Sequence, residues 1–364
     1  MPISCGLVGL PNAGKSTLFN CLTSAGAATA PYAFTTVEPN TGTAAVPDDR
    51  LGRLARIVRP KTVVPAFLEV VDIAGLVRGA SKGEGLGNRF LGHIREVDAV
   101  IHVVRCHADP GVPHPEPVVS PSRDCEIVNL ELMLADLETV QRRRERIGKA
   151  ARYGERREAQ EDSALSRVED ALKRGIPARR AGLGAEERAL VAGVFLITMK
   201  PVVYVGNVAE GTGDAAVNEL YAELVETARR DGSPVVPVSA RLEAEIAELA
   251  EADRSAFLEE LGLEEPGSRK VIRAAYEALD YITFYTFNEK EARAWPIRRG
   301  TRAPRAAGRI HTDMEKGFAR AEVVRLADLE EAGSFPAARD RGLVRSEGKD
   351  YEVEDGDVIL FRFA

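Results

Sequence analysis

The sequence predicts an α/β fold: a mostly parallel sheet interrupted by an inserted antiparallel helical pair and followed by a small α+β module. Three observations predict it. Residues 9–16 read G-x-x-x-x-G-K-S between an apolar run, Ile3 to Val8, and a helix-like stretch from Ser16 to Ser24. Strand and helix signals alternate through the first 125 residues. From Arg123 to about Ala192 the texture changes to helical spacing rich in Arg and Glu.

The elements follow in order. Ile3–Val8 is read as the first strand, and Pro65–Val71 and Ala99–Val104 as further ones, because each is a short apolar run rich in β-branched residues. Leu130, Leu132, Met133, Leu134 and Leu137 set the helical spacing of the insert. Gly175-Ile176-Pro177 is read as its break, and a second helical stretch is expected from near Ala185. The sheet resumes with Pro201–Val205 and Pro234–Val238. In the last segment Tyr281–Phe287 alternates as a strand, Asp313–Glu322 reads as a short helix, and Val358–Phe363 is a final strand after an Asp355-Gly356-Asp357 turn. The expected boundaries are 1–125 with 196–278 for the nucleotide-binding domain, 126–195 for the helical insert and 279–364 for the C-terminal module.

The composition, 45% hydrophobic and 29% charged, is that of a globular protein. A net charge of −7 argues against uniform coating of nucleic acid, and no DNA partner is expected. The charge is uneven. Arg142 to Arg180 holds 13 basic against 7 acidic residues, and Lys290 to Arg309 holds 7 against one. Such patches read either as solvated faces or as contacts with a polyanion such as RNA. Cys5, Cys21, Cys106 and Cys125 stand far apart without a C-x-x-C pair, which fits free thiols in a reducing cytoplasm. No long apolar stretch suggests a signal peptide or a membrane span, so a cytoplasmic location without a membrane partner is expected.

A strand, a glycine loop and a helix in succession form a phosphate cradle. The backbone from Asn12, Ala13 and Gly14 through Lys15, Ser16 and Thr17 is expected to turn its amides onto a nucleoside triphosphate. Lys15 adds a full positive charge, and Ser16 a hydroxyl for Mg²⁺. Asp72, opening D-x-x-G at a strand end, supplies the carboxylate that such a Mg²⁺ site needs, and Gly75 brings a backbone amide to the γ-phosphate. Thr36, in Phe34-Thr35-Thr36, is the expected phosphate-sensing Mg²⁺ ligand of a first switch. Glycines 79, 83, 85 and 87 suit a second, rearranging switch. Asn207-Val208-Ala209-Glu210 stands where guanine-specific switches carry N-K-x-D. It lacks both the Lys and the Asp, so relaxed specificity or a preference for ATP over GTP is expected. Ser239, in Ser239-Ala240-Arg241, is expected to back the base.

These segments, GLPNAGKST, FTTVEPNTG, DIAGLVRGASKGEGLGNRFL, NVAE and WPIRRGTRAPRAAGRIHTDMEKGFARAEV, resemble the YchF/Obg-like ATPase family over nearly the whole chain. The resemblance implies a nucleotide domain, a coiled-coil insert and a C-terminal TGS module of β-grasp type. It also implies Mg²⁺-dependent ATP hydrolysis and association with ribosomes, which makes the two basic stretches candidate RNA-facing surfaces. The proline-rich segment His107–Pro121 departs from the family pattern.

Leu76 occupies the place of the glutamine that orients water in many switch GTPases. Three substitutes are open: His114 on the proline-rich loop, for which the family suggests a catalytic role; Asn12, recruiting a monovalent cation such as K⁺; or a group supplied by the ribosome. The ordinary alternative for His114 is a solvent-exposed loop histidine. His93, His102, His107 and His311 are expected to pack or face solvent. Lys15, Gly75 and His114 are therefore the candidate catalytic groups. Two rivals stand beside the ATPase: a GTP-specific Obg-like GTPase, and a nucleotide-gated ribosome-binding protein with incidental turnover.

Overall fold

The computed structural model describes residues 3–24, 40–73, 86–152, 156–210 and 219–363. Among these residues run twelve strands: β1 (Ile3–Val8), β2 (Asn40–Ala45), β3 (Thr62–Val64), β4 (Phe67–Asp72), β5 (Ala99–Arg105), β6 (Val202–Asn207), β7 (Val235–Val238), β8 (Tyr281–Phe287), β9 (Glu291–Arg298), β10 (Phe318–Arg325), β11 (Arg345–Glu347) and β12 (Asp357–Phe363). The strands expected from the sequence recur within two residues.

The first sheet has the order β2-β4-β1-β5-β6-β7. β1, β5, β6 and β7 pair in parallel, with registers such as Leu7↔Ile101 and Arg105↔Asn207. Parallel neighbours need crossover helices, which cover both faces and make the central strands apolar throughout. β5 is accordingly buried at every residue. Val8, Ile73, Val104, Tyr204 and Leu224 belong to one core cluster.

The insert differs from the expectation in one respect. The Arg/Glu-rich stretch is itself the helical pair: one helix ends at Arg152 and the next begins at Arg156. Gly175-Ile176-Pro177 follows the second helix and does not separate the two partners. The pair is antiparallel. Arg143 Nε meets Glu161 at 2.6 Å, Arg144 Nε meets Asp162 at 2.9 Å, and Gln141 Nε2 donates to Glu169 at 3.3 Å. Val140 and Ile147 cluster with Leu165, Val168 and Leu172 along the seam. At its base the buried Asp136 accepts from the Ile197 and Thr198 amides at 2.8 and 2.7 Å. Burial raises the Asp136 carboxyl above its ordinary value, and those donors oppose the rise.

Ala45–Leu68 and Tyr276–Ala364 form a second compact unit. The expected boundaries keep 45–68 with the first domain, and here the structure differs. β3 pairs in parallel with β9, Thr62 opposite Glu291, a register between residues far apart in the chain. Asp48 caps the helix Asp49–Val58, and Arg50 of that helix reaches Asp355 at 2.8 Å. The sheet order is β11-β10-β12-β8-β9-β3, with β8 and β12 parallel. An antiparallel β8–β9 hairpin, a helix at Ala303–Ile310 and a parallel return strand are the β-grasp arrangement. The helix expected over Asp313–Glu322 is corrected: it spans Thr312–Lys316, and Phe318–Arg325 is β10, buried at Ala321, Val323 and Val324.

Candidate functional site

β1 ends in the loop that leads to the helix Lys15–Ser24. Two glycines there are required by space. A Cβ on Gly9 would lie 2.3 Å from the Val103 carbonyl oxygen. One on Gly14, at φ +99, would lie 2.5 Å from Asn207 Nδ2. Asn12 also takes a left-handed conformation, at φ 61. The loop therefore doubles back with its backbone close to β5 and β6.

Lys15 is buried, and its Nζ donates to the Leu10 carbonyl at 2.8 Å. Burial lowers its ammonium to about 8, and nearby Asp72 opposes the shift. Ser16 Oγ donates to Asp72 Oδ2 at 3.1 Å, so the helix start and the end of β4 converge as expected. A hydroxyl and a carboxylate are hard oxygen donors, the set Mg²⁺ takes together with phosphate oxygens and water. Among the described residues no group of three or more His, Cys, Asp or Glu could hold a metal, so this two-residue pair is the metal candidate.

Asn207, at the end of β6, joins the loop to the next one. Its Nδ2 donates to the Ala13 carbonyl at 3.1 Å, and its Oδ1 accepts from the Ala240 amide at 3.1 Å. Ser239 caps the helix Ala240–Glu248 and accepts from the Leu242 amide. Val208 is buried in the core. Glu210 stands apart from these: it forms an ion pair with Arg241 at 2.7 Å, and both side chains are exposed. Thr17 lies exposed in the first turn of its helix. Thr36, Gly75 and Leu76 lie outside the described residues.

The proline-rich loop is held from within. Arg105 is 3% exposed and donates to the carbonyls of His107 at 3.1 Å, Asp109 at 3.0 Å and Val112 at 3.0 Å. His107 Nδ1 lies 2.9 Å from the Asn207 carbonyl. Asn12 Nδ2 donates to the Pro113 carbonyl at 3.0 Å, tying the phosphate loop to the residue before His114. His114 is not the solvent-exposed histidine of the ordinary alternative. Its side chain is 9% exposed, with Nε2 2.9 Å from Asp124 Oδ2 and Nδ1 3.1 Å from the Glu116 carbonyl. Burial raises the Asp124 carboxyl, opposed by His114 and Arg123. Neither Arg105 nor Asp124 stands out in the sequence. An arginine at a strand end and a carboxylate in a helix's first turn carry no motif, and only the folded loop gives them their partners.

The remaining histidines divide between packing and capping. His102 is buried, its ring tilted 33° to that of Tyr204 at 5.3 Å, and burial drives it down to about 3. His311 caps the helix Thr312–Lys316. All four cysteines are free and buried, and burial pushes Cys5 up to about 12 and Cys21 to about 11.

A parallel sheet with a phosphate loop at one strand end, a Ser/Asp pair beside it and an asparagine bracing the loop define a P-loop nucleotide-binding protein. Comparison with known proteins narrows the class. The MMR_HSR1 model, described as a 50S ribosome-binding GTPase, matches residues 4–140. The YchF-GTPase_C model, described as a protein of unknown function, matches residues 281–364. A Bacillus subtilis (strain 168) protein named Ribosome-binding ATPase YchF is 48% identical over 364 residues, covering 100% of both chains. An Escherichia coli O157:H7 protein of the same name is also 48% identical, covering 100% of this chain and 99% of its own. The solved structure of the Schizosaccharomyces pombe YchF GTPase matches with a TM-score of 0.89 at 34% identity, covering 99% of this chain and 97% of that one. The chain belongs to the YchF family. No helix among the described residues is long and apolar enough to cross a membrane.

Proposed function

We propose that the protein is a Mg²⁺-dependent nucleoside triphosphatase that prefers ATP and works on the ribosome. The observation that carries the catalytic part is the convergence of Lys15, Ser16 and Asp72 at the start of one helix. Lys15 is a buried cation whose hydrogen bond goes to a carbonyl, so its charge is available to a phosphate. The loop amides and the helix start add donors that need no reorganisation when charge develops. Ser16 and Asp72, with Thr36, would hold Mg²⁺, which would supply positive charge against the charge developing on the phosphate. Gly75 would sense the γ-phosphate, and water attacks that phosphate directly.

His114 is the residue proposed to orient the water. It is fixed one residue beyond the Asn12–Pro113 contact. Its Nδ1 lies 3.1 Å from the Glu116 amide nitrogen and carbonyl oxygen, partners that a water would have to replace. Asn12 keeps its side-chain oxygen for a monovalent cation such as K⁺, because the amide nitrogen serves Pro113.

The ATP preference rests on Glu210. A guanine-reading carboxylate must accept two hydrogen bonds from the base, and here the carboxylate is matched by Arg241. The GTPase reading has its own support, since the fission-yeast relative and one matching model are described as GTPases. Parallel calorimetric titrations of Mg-ATP and Mg-GTP separate the two: tighter ATP binding is expected, and a GTP preference above about tenfold, or about 1.4 kcal/mol, overturns the base assignment.

Two bacterial relatives are named ribosome-binding, and a ribosomal partner would put the protein in the cytoplasm. On the insert Arg142, Arg143, Arg144, Arg167 and Arg179 are matched by carboxylates, but the exposed Arg146, Arg156 and Arg157, near the helix ends at Arg152 and Arg156, make no ion pair among the described residues. These are the proposed phosphate contacts. Replacing all three with alanine should flatten the salt dependence of ribosome co-sedimentation by about one unit of slope for each phosphate that no longer has its arginine. An unchanged slope removes the insert from the interface. The three-part division at 125, 195 and 278 belongs to the same reading, with 45–68 moved to the C-terminal unit.

A further inference from the structure

His114 presents its two ring nitrogens to different kinds of partner. Nε2 lies 2.9 Å from Asp124 Oδ2, and the two side chains are 9% and 5% exposed. Nδ1 lies 3.1 Å from both the Glu116 amide nitrogen and the Glu116 carbonyl oxygen, so either protonation state of Nδ1 finds a partner there. The backbone leaves the tautomer open, and Asp124 decides it. An ionised carboxylate only accepts, so the proton of a neutral imidazole must sit on Nε2, and Nδ1 is left with the lone pair.

Asp124 is well placed to do this. It lies in the first turn of the 32-residue helix Pro121–Arg152, and its backbone amide donates to the Ser120 carbonyl at 2.9 Å. Its other oxygen is buried, lacks a hydrogen bond among the described residues and sits 3.6 Å from Arg123. The histidine's own segment is fixed independently by Arg105 and by Asn12. Leu10 and Ala13 of the phosphate loop line the same small cavity as His114 and Asp124.

We propose that Asp124 is a positioning residue for hydrolysis, holding the His114 proton on Nε2 so that Nδ1 keeps its lone pair as an acceptor, which the Glu116 amide takes in this structure and the attacking water would take over in the nucleotide-bound enzyme. The inference rests on the reading of His114 given above and adds what sets its polarity. D124N keeps the shape; with its amide oxygen turned to Arg123, its amide nitrogen donates to Nε2, which puts the proton on Nδ1, where the Glu116 carbonyl accepts it. The variant then presents a donor where an acceptor is needed.

Two measurements on the full chain test this. Long-range proton–nitrogen NMR, with His114 assigned by its loss in H114A, is expected to report the Nε2–H tautomer in the wild type and Nδ1–H in D124N. Steady-state kinetics is expected to show kcat for ATP about 10²-fold lower in both H114A and D124N, KM within about twofold, and no further loss in the double variant. A wild-type His114 with its proton on Nδ1 overturns the proposal without any folding requirement on a variant. So does normal turnover in D124N while H114A is impaired. Normal turnover in H114A instead removes the water-orienting role itself, and this proposal with it.

Discussion

The phosphate loop and the helical insert both carry cations, and they hold them in opposite ways. Lys15 and Arg105 are buried, form no ion pair among the described residues, and donate to carbonyl oxygens. On the insert, Arg143, Arg144, Arg167 and Lys173 each meet a carboxylate: Glu161, Asp162, Glu187 and Glu169. A carbonyl orients a cation without cancelling its charge, so the field at the phosphate loop remains for a ligand. A carboxylate neutralises its partner, so these four matched cations serve the insert's own packing and leave little field for a ligand. The number of arginines in a sequence therefore says less about polyanion binding than the number left unmatched after folding.

Four substitutions sharpen or break this contrast. K15A is expected to lower ATP turnover by about 10³-fold and to weaken nucleotide binding in calorimetry, because a preorganised cation at the transferring group is removed. R105M leaves three loop carbonyls without their donor. It should reduce kcat about 10- to 100-fold through a misplaced His114 and should open the 107–121 loop to limited proteolysis. N207A removes the hydrogen bonds to both Ala13 and Ala240, and denaturant melts should show a stability lower by about 1–3 kcal/mol, with weaker ATP binding. E169Q should change the melt by less than about 1 kcal/mol, since Gln keeps the hydrogen-bonding shape and the cations around it are partly in water.

The same region makes a pH prediction. Lys173, with Arg144 and Gln141, holds the Glu169 carboxyl at about 2, below its ordinary 4.5. A depressed carboxyl stabilises the fold above its unfolded value, and that contribution disappears as pH falls from 4.5 through about 2. Acid loosening of the insert, followed by amide exchange in 156–173, should be weaker in E169Q than in the wild type. An identical acid profile for the two proteins would show that this pair does not hold the helices.

Much of the molecule was legible from local patterns. Ile3–Val8 and Tyr281–Phe287 are strands as their alternation and apolarity require, and Lys15, Ser16 and Asp72 converge because a loop motif and a strand-end carboxylate have one geometric solution. What escaped depends on distant partners. β3 joins β9 through a register no local signal encodes. The first helix of the pair ends at Arg152 and the second begins at Arg156, although the strong breaker in the sequence stands at 175–177. Glu210 pairs with Arg241 on the next loop, a neighbour the sequence does not announce. Arg105 and Asp124 are ordinary residues until the loop they hold is folded.

Single-turnover hydrolysis of Mg-ATP by the wild type and by K15A, each at saturating protein, tests the central claim most directly. The wild type is expected to convert Mg-ATP to ADP and phosphate, and K15A to do so about 10³-fold more slowly. Equal rates in the two proteins would contradict it.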